Sequence, residues 1–473
     1  MSESSLSFLA CFASCSECPK VPLDCFRVGA NHLIIMKTCL IYSLVLVTVV
    51  SLAEEVDFSP QPDERQLPKR MHSKMSELPT ISVGQSEGDL VGKDNRVLQA
   101  AVEYVAGLGG GVVRIGPGVY EMNDSLHLRS NVAIIGVPGE TILRKGPGIK
   151  TNLALDGDFG EEQVTVSDIS GFEVGHGIAV WDSRSGGFHT TVGRIIGRRG
   201  NTVAISRPLN SDCMIQNGAV AATVFPVMSG YHLEGARIEG ITIDGNKAEN
   251  VHLNGCRGAG IFLYRGFGTL IENCVVRNYH GDGISFQQSN DVIVRNCLSE
   301  GNSHLGIHPG SGSQRPQVLG CTARTNGEDG LYLCWRVRHG LFQDNTLEGN
   351  GRFGISIGHK DSDNLIKGNR VALNFKSGVF FRNETLGMAG HRNKLVGNLI
   401  ENNATSGDGA GIRIRGEVRD LEFRDNTIRD TRQGESKTQK IGIQIEEKVG
   451  DVRLFNNEVS AETNVVDRRP KAK

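Results

Sequence analysis

The feature that most constrains the fold is a short phrase that recurs through the second half of the chain. It reads glycine, aliphatic residue, any residue, apolar residue, and its aliphatic position falls at 261, 284, 307, 331, 355, 379, 412 and 443. The steps between these positions are 23, 23, 24, 24, 24, 33 and 31 residues. A near-constant period of this size indicates stacked supersecondary units. Because each unit carries short alternating strand patterns and no helical pattern, the repeat predicts an all-β solenoid, a parallel β-helix.

A second column of residues follows the first by about a dozen positions. Its members are Asn273, Asn296, Asn345, Asn369, Asn398, Asn426 and Asn456, with Gly320 filling one gap. Coils stack about 4.8 Å apart, so asparagines at a repeated bend can bond to one another as a ladder. Cys274, Cys297 and Cys321 repeat at the same period. That spacing exceeds the Cβ separation of roughly 3.8 Å that a disulfide prefers, so we interpret them as a buried stack of thiols.

The N-terminal region carries a targeting pattern. Met36-Lys37, an apolar run and Ser51-Leu52-Ala53 predict a secretory signal at 36–53, too short for a comfortable membrane span. Residues 1–35 are then an upstream extension outside the mature protein, the alternative being that the segment is an anchor. The charged, proline-bearing stretch 54–79 predicts a linker. We therefore expect a mature protein that is secreted, periplasmic or on the cell surface, with no membrane segment.

The remaining chain reads as one β-helix domain over 80–463. Asp94 to Val105 has the pattern of a capped amphipathic helix, which would cover the open end of the solenoid. The repeat stops between 156 and 226, where the strand patterns predict a small inserted antiparallel β subdomain. The polar segment 464–473 is expected to be a loose tail.

The composition limits the kinds of binding partner that we expect. The net charge is −2 and only 6% of the 473 residues are aromatic, which gives no sign of nucleic-acid binding. We expect a monomer.

The helix pattern, the glycine-led Val-Val-Arg-Ile-Gly-Pro-Gly-Val-Tyr of 112–120 and the tandem coils resemble the pectate-lyase-like, right-handed parallel β-helix superfamily. The resemblance covers about residues 77–460 and implies a secreted protein acting on polysaccharide, with its site in a groove on the central coils. Gly358-His359-Lys360 partly matches the Gly-His-Gly of polygalacturonase-type hydrolases. Gly306-Ile307-His308-Pro309-Gly310 is similar to the Asp-Pro-His strand of mannuronan epimerases, with His308 in place of the aspartate and Gly310 in place of the histidine.

Strand alternation places the candidate site residues. The residues one and three positions after each repeated aliphatic position point outward, and coils one period apart lie over one another, so these side chains form one patch. The candidate catalytic residues are His308, Asp329, Tyr332, His359 and Lys360. The candidate substrate-binding residues are Asp282, Gln287, His304, Arg315, Trp335, Arg336, Arg382 and Glu384.

Two chemistries fit this patch. In a lyase or epimerase, a base takes the proton alpha to a uronate carboxylate while cations neutralise the developing charge. Tyr332, Lys360, His308 or His359 would be the base, and Arg336, Arg382 or Arg315 would hold the carboxylate. In a hydrolase, Asp329 with Asp282 or Glu384 would flank the glycosidic bond. The excess of His, Arg and Tyr over carboxylates favours the first chemistry.

Two further interpretations remain open at this point. The chain could be a non-catalytic glycan-binding protein or adhesin that uses the same groove. The turn Asp361-Ser362-Asp363-Asn364 has carboxylates that Ca²⁺ accepts, although such a polar turn is more often only a turn, and no cofactor is firmly predicted.

Overall fold

A computed structural model describes residues 77–185, 187–406 and 409–470. The predicted signal at 36–53, the segment 1–35 before it and nearly all of the predicted linker 54–79 lie outside the described residues. Within the described part, three long parallel sheets run the length of a solenoid, so the predicted all-β parallel β-helix is confirmed.

The solenoid begins beneath a helix at Asn95–Gly107. Asp94 caps it by accepting a hydrogen bond from the backbone N–H of Arg96 at 2.9 Å. The helix buries Leu98, Ala101 and Val102 against the first coils, so the predicted capping helix is confirmed. Among the described residues, four short 3₁₀ helices lie at Gly187–His189, Ile215–Asn217, Lys247–Glu249 and Gly434–Ser436.

Each full coil contributes one strand to each of three sheets. Sheet A has 13 strands, Leu90–Val91, Thr80–Gly84, Gly111–Ile115, Val132–Ile135, Arg237–Glu239, Leu270–Glu272, Ile293–Arg295, Gln317–Leu319, Leu341–Gln343, Leu365–Lys367, Lys394–Val396, Leu421–Arg424 and Val452–Phe455. Sheet B has 11, Gly118–Met122, Thr141–Lys145, Thr242–Asp244, Val275–Arg277, Leu298–Glu300, Thr322–Arg324, Thr346–Glu348, Arg370–Ala372, Leu399–Glu401, Thr427–Arg429 and Glu458–Ser460. Sheet C has 11, Leu126–His127, Met228–Tyr231, Ala259–Tyr264, Asp282–Gln287, Ile307–Gly310, Leu331–Tyr332, Ile355–Ile357, Val379–Phe381, Ala410–Ile414, Ile441–Ile445 and Thr463–Asp467.

The register of sheet C follows the repeated phrase. Ile261 pairs with Ile284, Ile284 with Ile307, and Ile307 with Leu331, and the pairing continues in step through to Ile443. These aliphatic side chains are buried in one continuous core that runs along the solenoid axis. The residue after each of them therefore falls in a single row on the outer face of sheet C.

The repeat is interrupted by a six-stranded antiparallel sheet. Its strands, in spatial order, are Lys150–Asn152, Val220–Ala222, Gly177–Trp181, Thr191–Arg199, Thr202–Ile205 and Gln163–Thr165. It has its own small hydrophobic core, which includes Phe172 and Ile195. This insert begins at Lys150, a few residues before the predicted position.

The predicted asparagine column combines two different columns. Asn345, Asn369, Asn398 and Asn426 do form a ladder, and its next member is Asn457 rather than Asn456. The prediction is wrong for Asn273, Asn296 and Asn456, which take the left-handed backbone conformation with φ of 53°, 51° and 49°. They precede the ladder position by one residue, where asparagine is favoured because it tolerates positive φ.

The ladder position of the earlier coils holds the three cysteines. Cys274, Cys297 and Cys321 are buried free thiols, as predicted. The backbone N–H of Cys321 donates to the amide oxygen of Asn345 at 2.8 Å, so thiols and amides continue one column.

A second ladder, unrecognised from the sequence, explains the glycine of the repeated phrase. We name it ladder 2, and its members are Asn302, Asn326, Asn350, Asn374, Asn403 and Gln439. A Cβ added to Gly354 would lie 2.7 Å from Nδ2 of Asn374 and 2.8 Å from the carbonyl oxygen of Gly378. The glycines are therefore required by close approach between coils.

The predicted loose tail at 464–473 needs correction. Thr463–Asp467 is a strand that pairs with Ile441–Ile445 in sheet C. Val465 and Val466 are β-branched, which suits a strand, and the preceding coil offers an unpaired edge.

Candidate functional site

The outer face of sheet C carries a cleft of about 220 Å³ over the central coils. Five of the predicted site residues line it, namely Asp282, His304, His308, Tyr332 and Trp335. Phe188 of the insert also lines the cleft, and its carbonyl oxygen accepts a hydrogen bond from Nε of Arg257 at 2.7 Å. The insert thus supplies one wall of a site whose floor is sheet C.

His308 and Asp282 form a buried pair at the floor of the cleft. Nδ1 of His308 lies 2.8 Å from Oδ2 of Asp282, and the two side chains are 5% and 3% exposed. Oδ1 of Asp282 accepts the backbone N–H of Leu305 at 3.2 Å, which fixes the carboxylate. Nε2 of His308 is buried and has no hydrogen-bond partner among the described residues. A buried polar atom left unpaired costs about 1–3 kcal/mol, so this nitrogen points to a function rather than to packing.

Tyr332 and Arg382 lie one and three coils beyond His308. The rings of His308 and Tyr332 meet edge to face at 5.2 Å, and the guanidinium carbon of Arg382 lies 4.6 Å from the centre of the Tyr332 ring. Burial raises the pKa of Tyr332 well above its ordinary range, an effect that Arg382 opposes only in part. The phenol is therefore protonated near neutral pH, so Tyr332 is suited to donating a proton.

Arg382 is held by the protein itself. Its terminal nitrogens donate to Oγ of Ser356 at 2.9 Å, to the carbonyl oxygen of Leu333 at 2.6 Å and to Oδ2 of Asp361 at 3.0 Å. Burial raises the pKa of Asp361 to about 7, although Arg382 lowers it. With its terminal nitrogens occupied, Arg382 supplies a fixed positive charge beside Tyr332 rather than the free fork that would clamp a carboxylate.

His359 lies between Cys334 and Glu384. Its Nδ1 is 3.1 Å from Sγ of Cys334, and its Nε2 is 2.9 Å from Oε1 of Glu384. Burial, together with Arg382, lowers the pKa of His359 to about 4, and burial raises the pKa of Cys334 to about 12. Both ring nitrogens are engaged by neighbours, so His359 has no free lone pair to act as the base. Trp335 packs near it, with ring centres 5.1 Å apart, and is 45% exposed at the mouth of the cleft.

Asp329 is completely buried and does not line the cleft. Its Oδ1 accepts the backbone N–H of Phe353 at 3.1 Å and lies 3.7 Å from Nε of Arg352. Burial raises the pKa of Asp329 to about 6, which Arg352 opposes. The carboxylate is placed to hold a turn and Arg352 rather than to orient a histidine.

Eight of the thirteen predicted site residues do not line the cleft; besides Asp329, His359, Arg382 and Glu384, they are Arg315, Gln287, Lys360 and Arg336. Arg315 pairs with Asp291 of the neighbouring coil at 2.6 and 2.8 Å, so the expectation that it holds a substrate anion needs correction. Gln287 is buried beneath Gly310 and donates to Oγ of Ser285 at 2.9 Å. Lys360 lies in a turn with φ of 67°, and Arg336 lines a neighbouring depression together with Trp335.

Several lining residues were not identified from the sequence. Glu328 and Arg352 fall one period apart beside the strands, and their side chains meet at 3.2 Å. Because they are one period apart, the repeat could have predicted that these two residues lie side by side. Cys334 also lines the cleft, and its Sγ contacts Nδ1 of His359. The sequence does not predict that Phe188 lines the cleft, because the repeat is interrupted in the insert.

A metal role finds no support in the side chains of residues 77–470. Outside the gaps at 186 and 407–408, no group of three or more His, Cys, Asp or Glu residues is arranged to hold a metal ion. In the turn considered for Ca²⁺, Asp361 pairs with Arg382 and Asp363 with Arg392. In that same part of the chain no helix has the length and apolar character needed to cross a membrane.

Comparison with known proteins agrees with this architecture. A family profile described as "Right handed beta helix region" matches residues 176–335 and 238–386. The curated proteins contain no significant match to the sequence. The chain has the fold of the right-handed parallel β-helix superfamily.

Individual solved structures share that fold at low identity. The A-module of the mannuronan C-5 epimerase AlgE4 from Azotobacter vinelandii is 16% identical with a TM-score of 0.54, covering 83% of this chain and 99% of that one. The A-module of AlgE6 from the same organism gives 14% and 0.50, covering 80% and 96%. A polygalacturonase from Erwinia carotovora ssp. carotovora gives 13% and 0.53, covering 85% and 99%. At these identities the likeness is one of fold.

Proposed function

We propose that this protein is a secreted enzyme that acts on an acidic, uronate-containing polysaccharide by abstracting the proton alpha to the uronate carboxylate. The observation that carries the proposal is the buried Asp282–His308 pair, in which Nε2 of His308 is left without a partner at the floor of a cleft. The predicted signal at 36–53 supports secretion, and two structures with this fold are named mannuronan C-5 epimerases, which supports an acidic polymer.

His308 is the base in this mechanism. In the neutral imidazole whose Nδ1–H donates to Asp282, the lone pair is on Nε2. Asp282 thus fixes both the tautomer and the orientation of the ring. A base in this setting contributes typically about 10²–10⁴-fold to the rate of proton transfer.

Tyr332 is the proton donor. It lies beside His308 and keeps its proton because burial raises its pKa. Delivery of that proton to the opposite face of the carbanion gives an epimer, whereas delivery to the departing glycosidic oxygen gives chain cleavage with an unsaturated end. The same pair of residues serves either reaction, and the products distinguish them.

Two arginines provide positive charge for the developing enolate. Arg382 is fixed beside Tyr332, and Arg352 lines the cleft with a side chain that is 38% exposed. Preorganised cations of this kind stabilise transition-state charge without reorganising during the reaction.

Hydrolysis by paired carboxylates is less well supported. Of the three carboxylates considered for it, Asp282 lines the cleft but is bonded to His308. Asp329 is buried beneath the cleft lining, and Glu384 is paired with His359. A retaining or inverting hydrolase needs two carboxyl groups that face the same bond.

The test is a product screen on mannuronate, guluronate, galacturonate and neutral polymers. We expect unsaturated ends or inverted C5 centres with at least one uronate polymer, and a loss of about 10²–10⁴-fold in His308→Gln. His176→Gln, a histidine of the insert outside the cleft, is the matched control. New reducing ends without unsaturation would favour the hydrolase, and retention of polymer without any product would favour a binding protein.

A further inference from the structure

A second polar cluster lies near the start of sheet C, outside the cleft. Nε2 of His127 is 2.9 Å from Oδ2 of Asp124, and Nδ1 of His127 is 3.2 Å from Oγ of Ser229. Oγ of Ser125 donates to Oγ of Ser229 at 2.7 Å. Asp124, Ser125 and Ser229 are each buried, while the His127 side chain is 23% exposed. All four residues line a pocket of about 210 Å³ between the first coils and the insert.

The hydrogen bonds are consistent with a single assignment of protons. Asp124 accepts from Nε2–H of His127, so Nδ1 carries the lone pair and accepts the hydroxyl proton of Ser229. Nε of Arg194 also donates to Oδ2 of Asp124 at 2.5 Å, which fixes the carboxylate from the side of the insert. A serine bonded to a histidine that is oriented by an aspartate is the arrangement that activates a hydroxyl nucleophile.

We infer that this pocket is a second catalytic site, a serine esterase that removes a short acyl group from an anionic molecule. Val192, Phe225 and Pro226 give the pocket an apolar wall that suits a short acyl chain. Arg207 also lines it and carries positive charge that suits an anionic carrier, whereas Arg129 pairs with Glu103 and Arg194 with Asp124. Arg207 is held in place over the Tyr231 ring, 3.7 Å from its centre.

The reaction balances with water as the only co-reactant. Oγ of Ser229 attacks the ester carbonyl carbon while its proton passes to Nδ1 of His127. The bond from the carbonyl carbon to the alcohol oxygen then breaks, and that oxygen takes the proton from His127. Water attacks the acyl-serine, gives its proton to His127, and releases the free acid as the proton returns to Ser229. Ser229 and His127 are the catalytic residues, and Asp124 is a positioning residue.

The pocket is distinct from the cleft but lies on the same face. Ser229 is in register with Phe262, Ser285 and His308, so three coil steps of about 4.8 Å separate it from the proposed base. The inference does not depend on the function proposed for the cleft, because its substrate is defined by the ester alone.

The full-length protein is tested with p-nitrophenyl acetate and p-nitrophenyl octanoate, and separately with a fluorophosphonate probe followed by peptide mass spectrometry. We expect acetate to be hydrolysed in preference to octanoate and the probe to label Ser229. Ser229→Ala and His127→Gln should lower the rate by about 10³-fold or more, whereas Ser299→Ala, which removes a buried serine of sheet B, should not.

Two results would overturn the proposal. One is a folded wild-type protein that neither hydrolyses the acetate ester nor carries the probe on Ser229. The other is hydrolysis that persists unchanged in Ser229→Ala. Probe labelling of Ser229 is measured on the wild type, so it tests the proposal even if a variant fails to fold.

Discussion

Ladder 2 and the cleft on sheet C belong to the same coils, yet they treat buried polar atoms in opposite ways. In ladder 2, Oδ1 of Asn350 accepts from the backbone and the side-chain amide of Asn326 at 3.2 and 3.1 Å. Its Nδ2 donates to the carbonyl oxygen of Ala323 and to Asn374, both at 3.0 Å. At the floor of the cleft, Nε2 of His308 is buried without a partner among the described residues.

This difference shows how one repeating unit serves two purposes. A saturated amide ladder contributes stability and has no capacity left for a ligand. The unsatisfied Nε2 of His308 reduces stability and keeps hydrogen-bonding capacity at the floor of the cleft. Substitutions in ladder 2 should therefore change stability without changing chemistry, and substitutions in the cleft should do the reverse.

The largest expected effect is that of Asp282→Asn on turnover. The amide oxygen can still accept from Leu305, but the amide N–H₂ would face Nδ1 of His308 and favour the tautomer that protonates Nε2. We expect activity to fall about 10³-fold, or about 4 kcal/mol of barrier, with little change in the thermal midpoint. A comparable loss of stability would mean that the pair is structural.

Next in size is Asn350→Ala in ladder 2. It removes the partner of the backbone N–H of Asn326 and of the carbonyl oxygen of Ala323, and one bond each from Nδ2 of Asn326 and Oδ1 of Asn374, so we expect a loss of about 3 kcal/mol in the free energy of unfolding. Asn296→Gly, at an exposed left-handed position, is the control and should stay within about 0.5 kcal/mol. Equal losses in the two variants would contradict the separation of the two columns. Denaturant unfolding measures both.

Gly354→Ala tests the close approach behind ladder 2. The new Cβ would lie 2.2 Å from Cγ1 of Val371 as well as against Asn374, so we expect a loss of about 2–3 kcal/mol. Gly397→Ala has no atom within 4 Å of the added Cβ but has a φ of 63°, so only backbone strain of about 1 kcal/mol is expected. A larger loss at Gly397 than at Gly354 would show that the glycine column serves φ rather than packing.

Lys145→Met tests whether a buried lysine outside the cleft lowers the free energy of unfolding without contributing to activity. Burial lowers the pKa of Lys145 to about 7, against which Glu121 acts weakly. Between about pH 7 and 10.5 the unfolded chain binds a proton at this lysine that the folded chain does not, so this group makes stability rise with pH in that window. We expect Lys145→Met to gain about 2 kcal/mol at pH 8, with the gain shrinking toward pH 10.5 and cleft activity unchanged. A pH-independent gain would contradict this reading.

Much of the fold could be predicted because the period is a geometric constraint. Positions such as 284 and 307 pair directly, so the row that contains His308 and Tyr332 followed from counting residues. The period could not separate adjacent columns, and this is why Asn296 was assigned to the ladder in place of Cys297.

The candidate site was less predictable because strand register does not determine which side chains contact one another. Arg315 and Arg382 both lie in the coil region. Arg315 forms an ion pair with Asp291, and Arg382 forms one with Asp361. Phe188 belongs to the insert, which interrupts the repeat, so the repeat does not predict its position over sheet C. The pairing of His308 with Asp282 became visible only when two neighbouring coils were placed side by side.

The central claim, that His308 removes a proton from carbon, is tested most directly by incubating the protein with uronate polymers in D₂O and following C5 by NMR. We predict loss of the H5 signal in the polymer, or in its unsaturated ends, with the wild type and its retention with His308→Gln. Turnover of a uronate polymer in which every H5 is retained would contradict the account.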